Sequence, residues 1–136
     1  MDGVLLVDKP TGLTSFDVVA RVRRALREKR VGHAGTLDPE ATGLLVICLG
    51  EATKLVPYLM DADKEYLATA RLGITTDTDD AAPGSKVLFE SPEASLRALS
   101  ESQVSEALRK QVGAIAQKPP RFSALKVDGQ RLYDKA

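Results

Sequence analysis

The chain has 136 residues, of which 43% are hydrophobic, and its formal net charge is zero. This length supports one domain with a real core rather than two, and the composition is that of a globular rather than a disordered protein. The charge balance argues against a strongly basic nucleic-acid binder. No stretch approaches the ~20 apolar residues of a membrane span, and the N-terminus has no signal-peptide pattern.

Charge is nevertheless distributed unevenly along the chain. Residues 1–60 carry a net charge of +1, residues 61–106 carry −6 and residues 107–136 carry +5. Two basic clusters stand out, one between Arg21 and Arg30 and one between Arg109 and Lys135. Because polyanion binding depends on where positive charge collects, either cluster could bind nucleic acid. A solvated helix face and a basic tail are the alternatives.

The first quarter of the chain predicts a strand followed by a helix. Residues 4–7 are a short apolar strand candidate, and residues 9–12, KPTG, have turn composition without the GxxxxGK[ST] spacing of a P-loop. Thr14 or Ser15 can cap the helix that follows. Its buried face is predicted from apolar residues at helical spacing, namely Val18, Val19, Val22 and Leu26.

The next stretch, GHAGTLDPEATGLL at residues 32–45, holds the only histidine, His33. Pro39 moves Asp38 away from the α region, so this carboxylate can be aimed with little further loss of entropy. The glycines of the stretch, which can adopt positive φ or admit another backbone, are Gly32, Gly35 and Gly43. Their combination with the histidine, a threonine and the pinned acid favours a functional site. The alternative is a helix start, with Asp38 as N-cap and Glu40 in the first turn.

A second strand and a short helix are predicted before residue 60. Residues 44–49 form a continuous apolar run, as expected for a strand covered on both faces. Residues 51–60 predict a short helix that Pro57 strains or delays. Cys48, the only cysteine, lies in the apolar run and is predicted to be a core residue rather than a nucleophile. A single cysteine excludes an internal disulfide and fits a reducing compartment, so we expect a cytoplasmic protein.

The second half predicts short strands and one further helix. Residues 64–72 alternate as a strand does, and residues 87–89 form another strand candidate. Residues 75–80 are predicted to be a solvated acidic loop rather than a metal site, and residues 91–100 a further loop. A helix capped by Ser102 and running to about residue 111 follows, then a strand at 114–118 and a hairpin at 126–131 with Asp-Gly at its turn. This mixture predicts an α+β fold with a mixed, largely antiparallel sheet flanked by helices.

The stretch 32–45 resembles the catalytic-aspartate motif of the bacterial tRNA pseudouridine-55 synthases, the TruB family. Further segments are similar to motifs of that family and occur in the family order. They are LVDKPTGLTS at 6–15, LGEATKL at 49–55, KEY at 64–66 and PPRFSALK at 119–126. Because five ordered motifs span nearly the whole chain, the resemblance is specific. It implies that residues 1–136 are the N-terminal part of a pseudouridine synthase catalytic domain.

The resemblance also implies an activity, the isomerisation of uridine 55 to pseudouridine in the T-arm stem-loop of tRNA. Asp38 corresponds to the catalytic aspartate, which acts on a flipped-out base as nucleophile or base. Tyr66 matches the tyrosine that packs on this base, although a core aromatic on an amphipathic strand is the alternative. His33 matches the histidine that contacts the RNA where the base has left. No cofactor or metal is expected, and tRNA is the expected partner of a monomer.

The remaining implied RNA-binding residues are Lys9, Gly35, Thr36, Lys118, Arg121, Lys126 and Arg131. Lys9 could hold the catalytic loop, or it could be an exposed turn lysine. The last four lie in what resembles the family's thumb, at about 118–136. The family continues with a motif that supplies an arginine partner for the aspartate, and usually with a C-terminal RNA-binding domain. We therefore expect a fragment that lacks this C-terminal part and that alone is weakly active or inactive.

Three alternative functions stay open at this point. One is an RNA-binding or tRNA-folding module without catalysis. Another is a relative of the guide-RNA-directed pseudouridine synthases, which share the aspartate motif, although ATGLL at 41–45 and the thumb-like residues 119–133 favour the stand-alone bacterial type. The third is a metabolic α+β enzyme with an incidental aspartate loop.

Overall fold

The computed structural model describes residues 1–117 and the backbone of residues 126–127 and 130–131. The chain forms two compact units, residues 1–67 and residues 68–136. Every described strand pairing is antiparallel and helices accompany the strands, which confirms the predicted α+β class. None of the helices in the described part of the chain is long and apolar enough to span a membrane.

The first unit is a three-stranded antiparallel sheet packed against one long helix. In chain order its elements are β1 (Gly3–Lys9), α1 (Ser15–Leu26), β2 (Val31–Ala34), β3 (Gly43–Leu49), a 3₁₀ helix (Gly50–Leu55) and α2 (Val56–Met60). The strand order is β1-β3-β2, so β3 is central and both its neighbours are edge strands of this sheet. The register places Val7 opposite Leu45 and His33 opposite Ile47.

Helix α1 begins at a complete capping box. The hydroxyl of Thr14 accepts the Asp17 N–H at 3.0 Å, and the Asp17 carboxylate accepts the Thr14 N–H at 2.9 Å. Such a cap contributes about 1 kcal/mol to helix stability. The inward face of α1 then packs on the sheet in a core of Val18, Val19, Val31, Leu45, Ile47 and Leu49. Three of the four predicted inward residues, Val18, Val19 and Val22, belong to this packing, whereas Leu26 is 38% exposed.

The prediction that both faces of β3 are covered is wrong for the first half of the strand. Successive strand side chains point to opposite faces. Leu45 and Ile47 are buried in the core shared with α1, but Leu44 on the other face is 64% exposed. Cys48 is fully buried, as predicted for a core residue, and its burial raises the pKa of the thiol.

The second unit contains short elements. They are β4 (Ile74–Thr76), β5 (Val87–Glu90), α3 (Glu93–Arg97), α4 (Glu101–Arg109), β6 (Lys126–Val127) and β7 (Gln130–Arg131). β4 pairs with β5 and β6 pairs with β7, so the predicted strand at 87–89 and the predicted hairpin at 126–131 are both present. Side-chain hydroxyls within the loop between β4 and β5 hydrogen-bond to one another and to a carboxylate of the same loop. The Thr78 hydroxyl donates to Asp80 at 2.6 Å and shares a 2.7 Å hydrogen bond with the Ser85 hydroxyl.

Several predicted boundaries in the second half are wrong. Residues 64–71 are an exposed segment without regular structure, because no described strand pairs with their backbone. Residues 114–117 likewise form no strand. Helix α4 is capped by Ser100 rather than Ser102, because Ser100 forms reciprocal hydrogen bonds with Gln103 and so completes a capping box.

Candidate active site

The loop of residues 35–42 connects β2 to β3 and carries Asp38. Gly35 and Gly43 stand at its two ends with φ values of +111° and +116°. Residues that have a Cβ atom rarely adopt such φ angles, so glycine is needed at both positions for the loop to leave and rejoin the sheet. Gly32 instead lies within β2, where a Cβ atom would sit 3.8 Å from the Val56 side chain.

Ser15 fixes the backbone on the N-terminal side of Asp38. Its side chain is 2% exposed, and its hydroxyl accepts the Leu37 N–H at 2.9 Å and donates to the Leu37 carbonyl at 3.2 Å. One hydroxyl therefore satisfies both polar backbone groups of the residue that precedes Asp38. Since Thr14 already caps α1, the Ser15 hydroxyl is free for this contact.

Lys9 fixes the backbone on the C-terminal side of Asp38. It is fully buried, and its ammonium donates to the carbonyls of Leu13 at 2.7 Å, Pro10 at 3.1 Å and Pro39 at 3.2 Å. The Gly12 N–H also donates to the Pro39 carbonyl at 2.8 Å. The alternative of an exposed turn lysine is therefore wrong, because all three protons of this buried ammonium are placed on carbonyl oxygens.

Asp38 itself lies between these two anchored residues and is exposed. Its carbonyl accepts the Ala41 N–H at 3.1 Å in a turn, and the chain then enters β3 rather than a helix. The helix-start alternative for Asp38, Pro39 and Glu40 is therefore wrong. Because the Asp38 carboxylate does not cap a helix and the residues on either side of it are held in place, it can act as a base or as a nucleophile toward a bound molecule.

His33 lies on β2, half-buried, two residues before the first residue of the Asp38 loop. Its Nδ1 contacts the Gly35 carbonyl oxygen. Since a carbonyl oxygen only accepts, this contact is a hydrogen bond when Nδ1 carries a proton. The contact also ties the histidine to the first residue of the Asp38 loop.

The other predicted RNA-binding residues are not gathered around Asp38 by described hydrogen bonds. Thr36 is exposed on the loop, and Tyr66 is 67% exposed in the segment without regular structure. Lys126 and Arg131 are paired across the β6–β7 hairpin, and their side chains lie outside the described residues. Lys118 and Arg121 lie outside the described residues altogether.

Sequence reasoning missed Ser15 as a member of this site and considered it only as a helix cap. A signal was available in the two consecutive hydroxyls, Thr14 and Ser15, because one cap is enough for one helix. The second hydroxyl, buried at the start of α1, needed another partner.

A comparison with known families assigns the chain. The family model described as the N-terminal domain of the TruB family of pseudouridylate synthases matches residues 23–136. The chain belongs to the TruB family. The anchored Asp38 loop is therefore part of the matched region, whereas β1, Lys9 and Ser15 precede it.

Curated relatives of this TruB family chain carry the name tRNA pseudouridine synthase B. One from Ruegeria pomeroyi is 54% identical over 136 residues, which are 100% of this chain and 43% of the relative. Another, from Leifsonia xyli subsp. xyli, is 51% identical over 131 residues, or 96% of this chain and 43% of that protein. The chain thus spans 43% of the length of these two relatives.

A solved structure shares the fold of this TruB family chain. The crystal structure of a Cbf5-Nop10-Gar1 complex matches with a TM-score of 0.58 and 27% sequence identity. The match covers 91% of this chain and 31% of the chain in that complex. It supports the α+β assignment made from the described strands and helices.

Proposed function

We propose that the protein represented by this chain converts a uridine to pseudouridine in the T-arm stem-loop of tRNA, at position 55. Asp38 is the catalytic residue and acts on a base taken out of its stack. The names of the curated relatives support the reaction class and the tRNA substrate. The position within tRNA and the role of Asp38 come from the motif at residues 32–45.

The observation that carries this proposal is the anchoring of both residues beside Asp38. Pseudouridine formation breaks the bond between ribose C1′ and uracil N1 and forms a bond between C1′ and C5. The C5 proton is lost and N1 gains a proton, so the conversion is redox-neutral. A carboxylate can add to the sugar or base, or accept the C5 proton. Ser15 on Leu37 and Lys9 on Pro39 would hold that carboxylate with little freedom left to lose.

Two exposed side chains, those of Tyr66 and Leu44, also suit an extruded base. The target must leave its stack at a cost of a few kcal/mol, and stacking on an aromatic side chain returns ~1–3 kcal/mol. Tyr66, 67% exposed, is the aromatic residue assigned to this task. Leu44, the second residue of β3, adds an exposed apolar surface directly after the loop.

The test is conversion of an unmodified tRNA transcript, with pseudouridine mapped by chemical labelling. We expect one labelled uridine, in the T-arm. Asp38→Asn keeps the size of the side chain but removes its charge and basicity, and should slow conversion by at least ~10³-fold. Asp63→Asn, at another exposed aspartate of the first unit, serves as the matched control and should convert as the wild type does.

Binding separates this proposal from its alternatives. Asp38→Asn should bind the transcript with nearly unchanged affinity while conversion is lost. Salt-dependent binding by the wild type without any conversion would favour the RNA-binding module instead. Conversion that appears only after addition of a guide RNA would favour the guide-directed class.

A further inference from the structure

An open groove of about 530 Å³ lies beside the C-terminal end of α1, and the Asp38 loop contributes nothing to it. Its lining consists of Ala20, Arg23, Arg24, Arg27, Glu28 and Lys29. Four of these six residues are cations and one is a carboxylate. The groove is therefore a concentrated positive surface in a chain whose net charge is zero.

The negative charges near the groove are already occupied. Glu28 accepts the Met1 ammonium at 2.8 Å and the Arg30 N–H at 3.0 Å, and the Met1 contact lowers the pKa of this carboxyl. Arg30 in turn pairs with Glu51, which also binds Lys54 at 2.7 Å. These contacts occupy the carboxylates of Glu28 and Glu51, so neither is paired with a groove cation.

None of the four groove cations has an ion pair among the described residues. Arg23 is engaged, because its guanidinium donates to the Val31 carbonyl at 2.9 Å and lies 5.9 Å from the ring centre of Phe16. Arg24, Arg27 and Lys29 are exposed, and no carboxylate of the described chain lies within ion-pair distance of them. These three cations, on long side chains in one groove and without a described ion pair, suit the negative charge and the spacing of successive phosphates.

Arg27 also adopts a backbone conformation that does not suit an arginine. It is the C-cap of α1, with φ 52° and ψ 34°, in the left-handed region. Glycine is the usual residue there because it has no Cβ to crowd the following carbonyl. An exposed arginine at this position therefore destabilises the fold, and a contact that its side chain makes with a ligand would explain why it is present.

Complementation of the helix dipole explains only part of this cluster. Arg23 and Arg24 lie in the last turn of α1, where cations are favourable. Lys29 lies beyond the helix, where the effect of the dipole has fallen off. Arg27 could be glycine and still close the helix. Two of the three free cations thus have no described structural role.

We propose that the groove formed by Arg24, Arg27 and Lys29 binds backbone phosphates of the folded RNA substrate, at a point outside the Asp38 loop. The proposal rests on the proposed function, because it takes an RNA to be the ligand. Helix α1 leads from the loop to the groove, since Ser15 at its start contacts Leu37. Its 12 residues span roughly 18 Å at about 1.5 Å per residue. The groove thus lengthens the surface on which the RNA is held.

The test measures the affinity of the chain for an unmodified tRNA transcript over a range of salt concentrations. The triple variant Arg24→Gln/Arg27→Gly/Lys29→Gln should bind on the order of tenfold more weakly at moderate salt. The slope of log affinity against log salt should fall by about two to three, close to one per lost phosphate contact. Arg27→Gly alone should weaken binding without lowering the urea midpoint of the first unit.

The matched control removes the same charge from the acidic central part of the chain. The control variant Arg71→Gln/Lys86→Gln/Arg97→Gln replaces three exposed cations. Its affinity should stay within about twofold of the wild-type affinity, and its salt slope should stay within about 0.5 of the wild-type slope. Wild-type affinity and slope in the groove variant, or equal losses in both triple variants, would overturn the groove while leaving tRNA conversion in place. Failure of the proposed function has a different signature, namely no conversion of the transcript by the wild-type chain. If the wild-type chain also shows no salt-dependent binding, the groove proposal falls with it.

Discussion

The two units of this chain differ in what holds them together. All seven buried apolar residues of the described chain belong to residues 1–67, and so do both buried polar residues, Lys9 and Ser15. In the described part of residues 68–136 no residue is buried, and large apolar side chains such as Phe89 and Leu108 remain 59% and 64% exposed. That unit relies on caps and hydroxyl contacts instead. The comparison teaches that, among the described residues, the buried frame needed to position a carboxylate lies in the first unit.

The largest expected difference between the units concerns their apolar side chains. Ile47 is fully buried in the core between β3 and α1, so Ile47→Ala should lower the free energy of unfolding of the first unit by about 2–5 kcal/mol. Leu108→Ala, on the exposed surface of α4, should change that of the second unit by less than about 0.5 kcal/mol. Urea unfolding followed by amide signals of β3 and α4 reports each unit separately. Equal losses of unfolding free energy in the Ile47 and Leu108 variants would contradict this difference between the two units.

A smaller effect is expected from the buried ammonium that supports the Asp38 loop. Lys9→Met keeps the apolar stem but leaves the carbonyls of Leu13 and Pro39 without their charged donor, and should cost about 2–3 kcal/mol. Lys64 is the matched control, because its ammonium also donates to two carbonyls, of Met60 and Ala62, but is exposed to solvent.

Lys64→Met should therefore change stability by less than about 0.5 kcal/mol. Lys9→Met should in addition slow tRNA conversion more than it weakens tRNA binding, because the loop loses its support while the RNA-binding surface is unchanged. The measurements are urea unfolding, the conversion rate and the affinity for the same transcript. A Lys9 variant as stable as the Lys64 variant would show that the three carbonyl contacts are not supporting the loop.

The same contrast explains how far the sequence could predict the structure. Strand β1, helix α1 and strand β3 were predicted correctly in type, because apolar periodicity and the Thr14 cap agree with the packing in the first unit. The strand predicted at 64–72 rests on alternation alone, and residues 64–71 are an exposed segment without regular structure. Alternation indicates which face could be buried, but a strand also needs a partner for its backbone, and that is a non-local property.

The stiffness of the Asp38 loop was predictable from the sequence, but the side chains that support the loop were not. Pro39 and the flanking glycines predicted a stiff loop around Asp38, and the structure has one. That Lys9 is buried could not be read from a turn-like KPTG segment, because lysine is rarely buried unless its charge finds oxygens brought in from elsewhere. Those oxygens come from Leu13 and Pro39, the latter 30 residues away in sequence.

The smallest effect concerns two exposed aspartates, one in each unit. Hydrogen bonds from Thr14 lower the pKa of Asp17 below its ordinary 3.8, and hydrogen bonds from the Thr78 hydroxyl and the Ala82 N–H do the same for Asp80. A carboxyl whose pKa is lower in the folded state stabilises the fold well above pH 3.8, and this contribution is lost as the pH falls below that value. Both losses should be small, because both groups are open to solvent.

Each loss should also stay within its own unit. Asp17→Asn should flatten the decrease in stability between about pH 5 and pH 3 for amide signals of α1 and leave those of β4 and β5 unchanged, and Asp80→Asn should do the reverse. Asp63→Asn, at an exposed aspartate without a described hydrogen bond, should alter neither profile. If acid instead destabilises α1 and the β4–β5 hairpin together in every variant, the two units unfold as one, and the distinction between a packed unit and a locally bonded unit no longer describes the chain in solution.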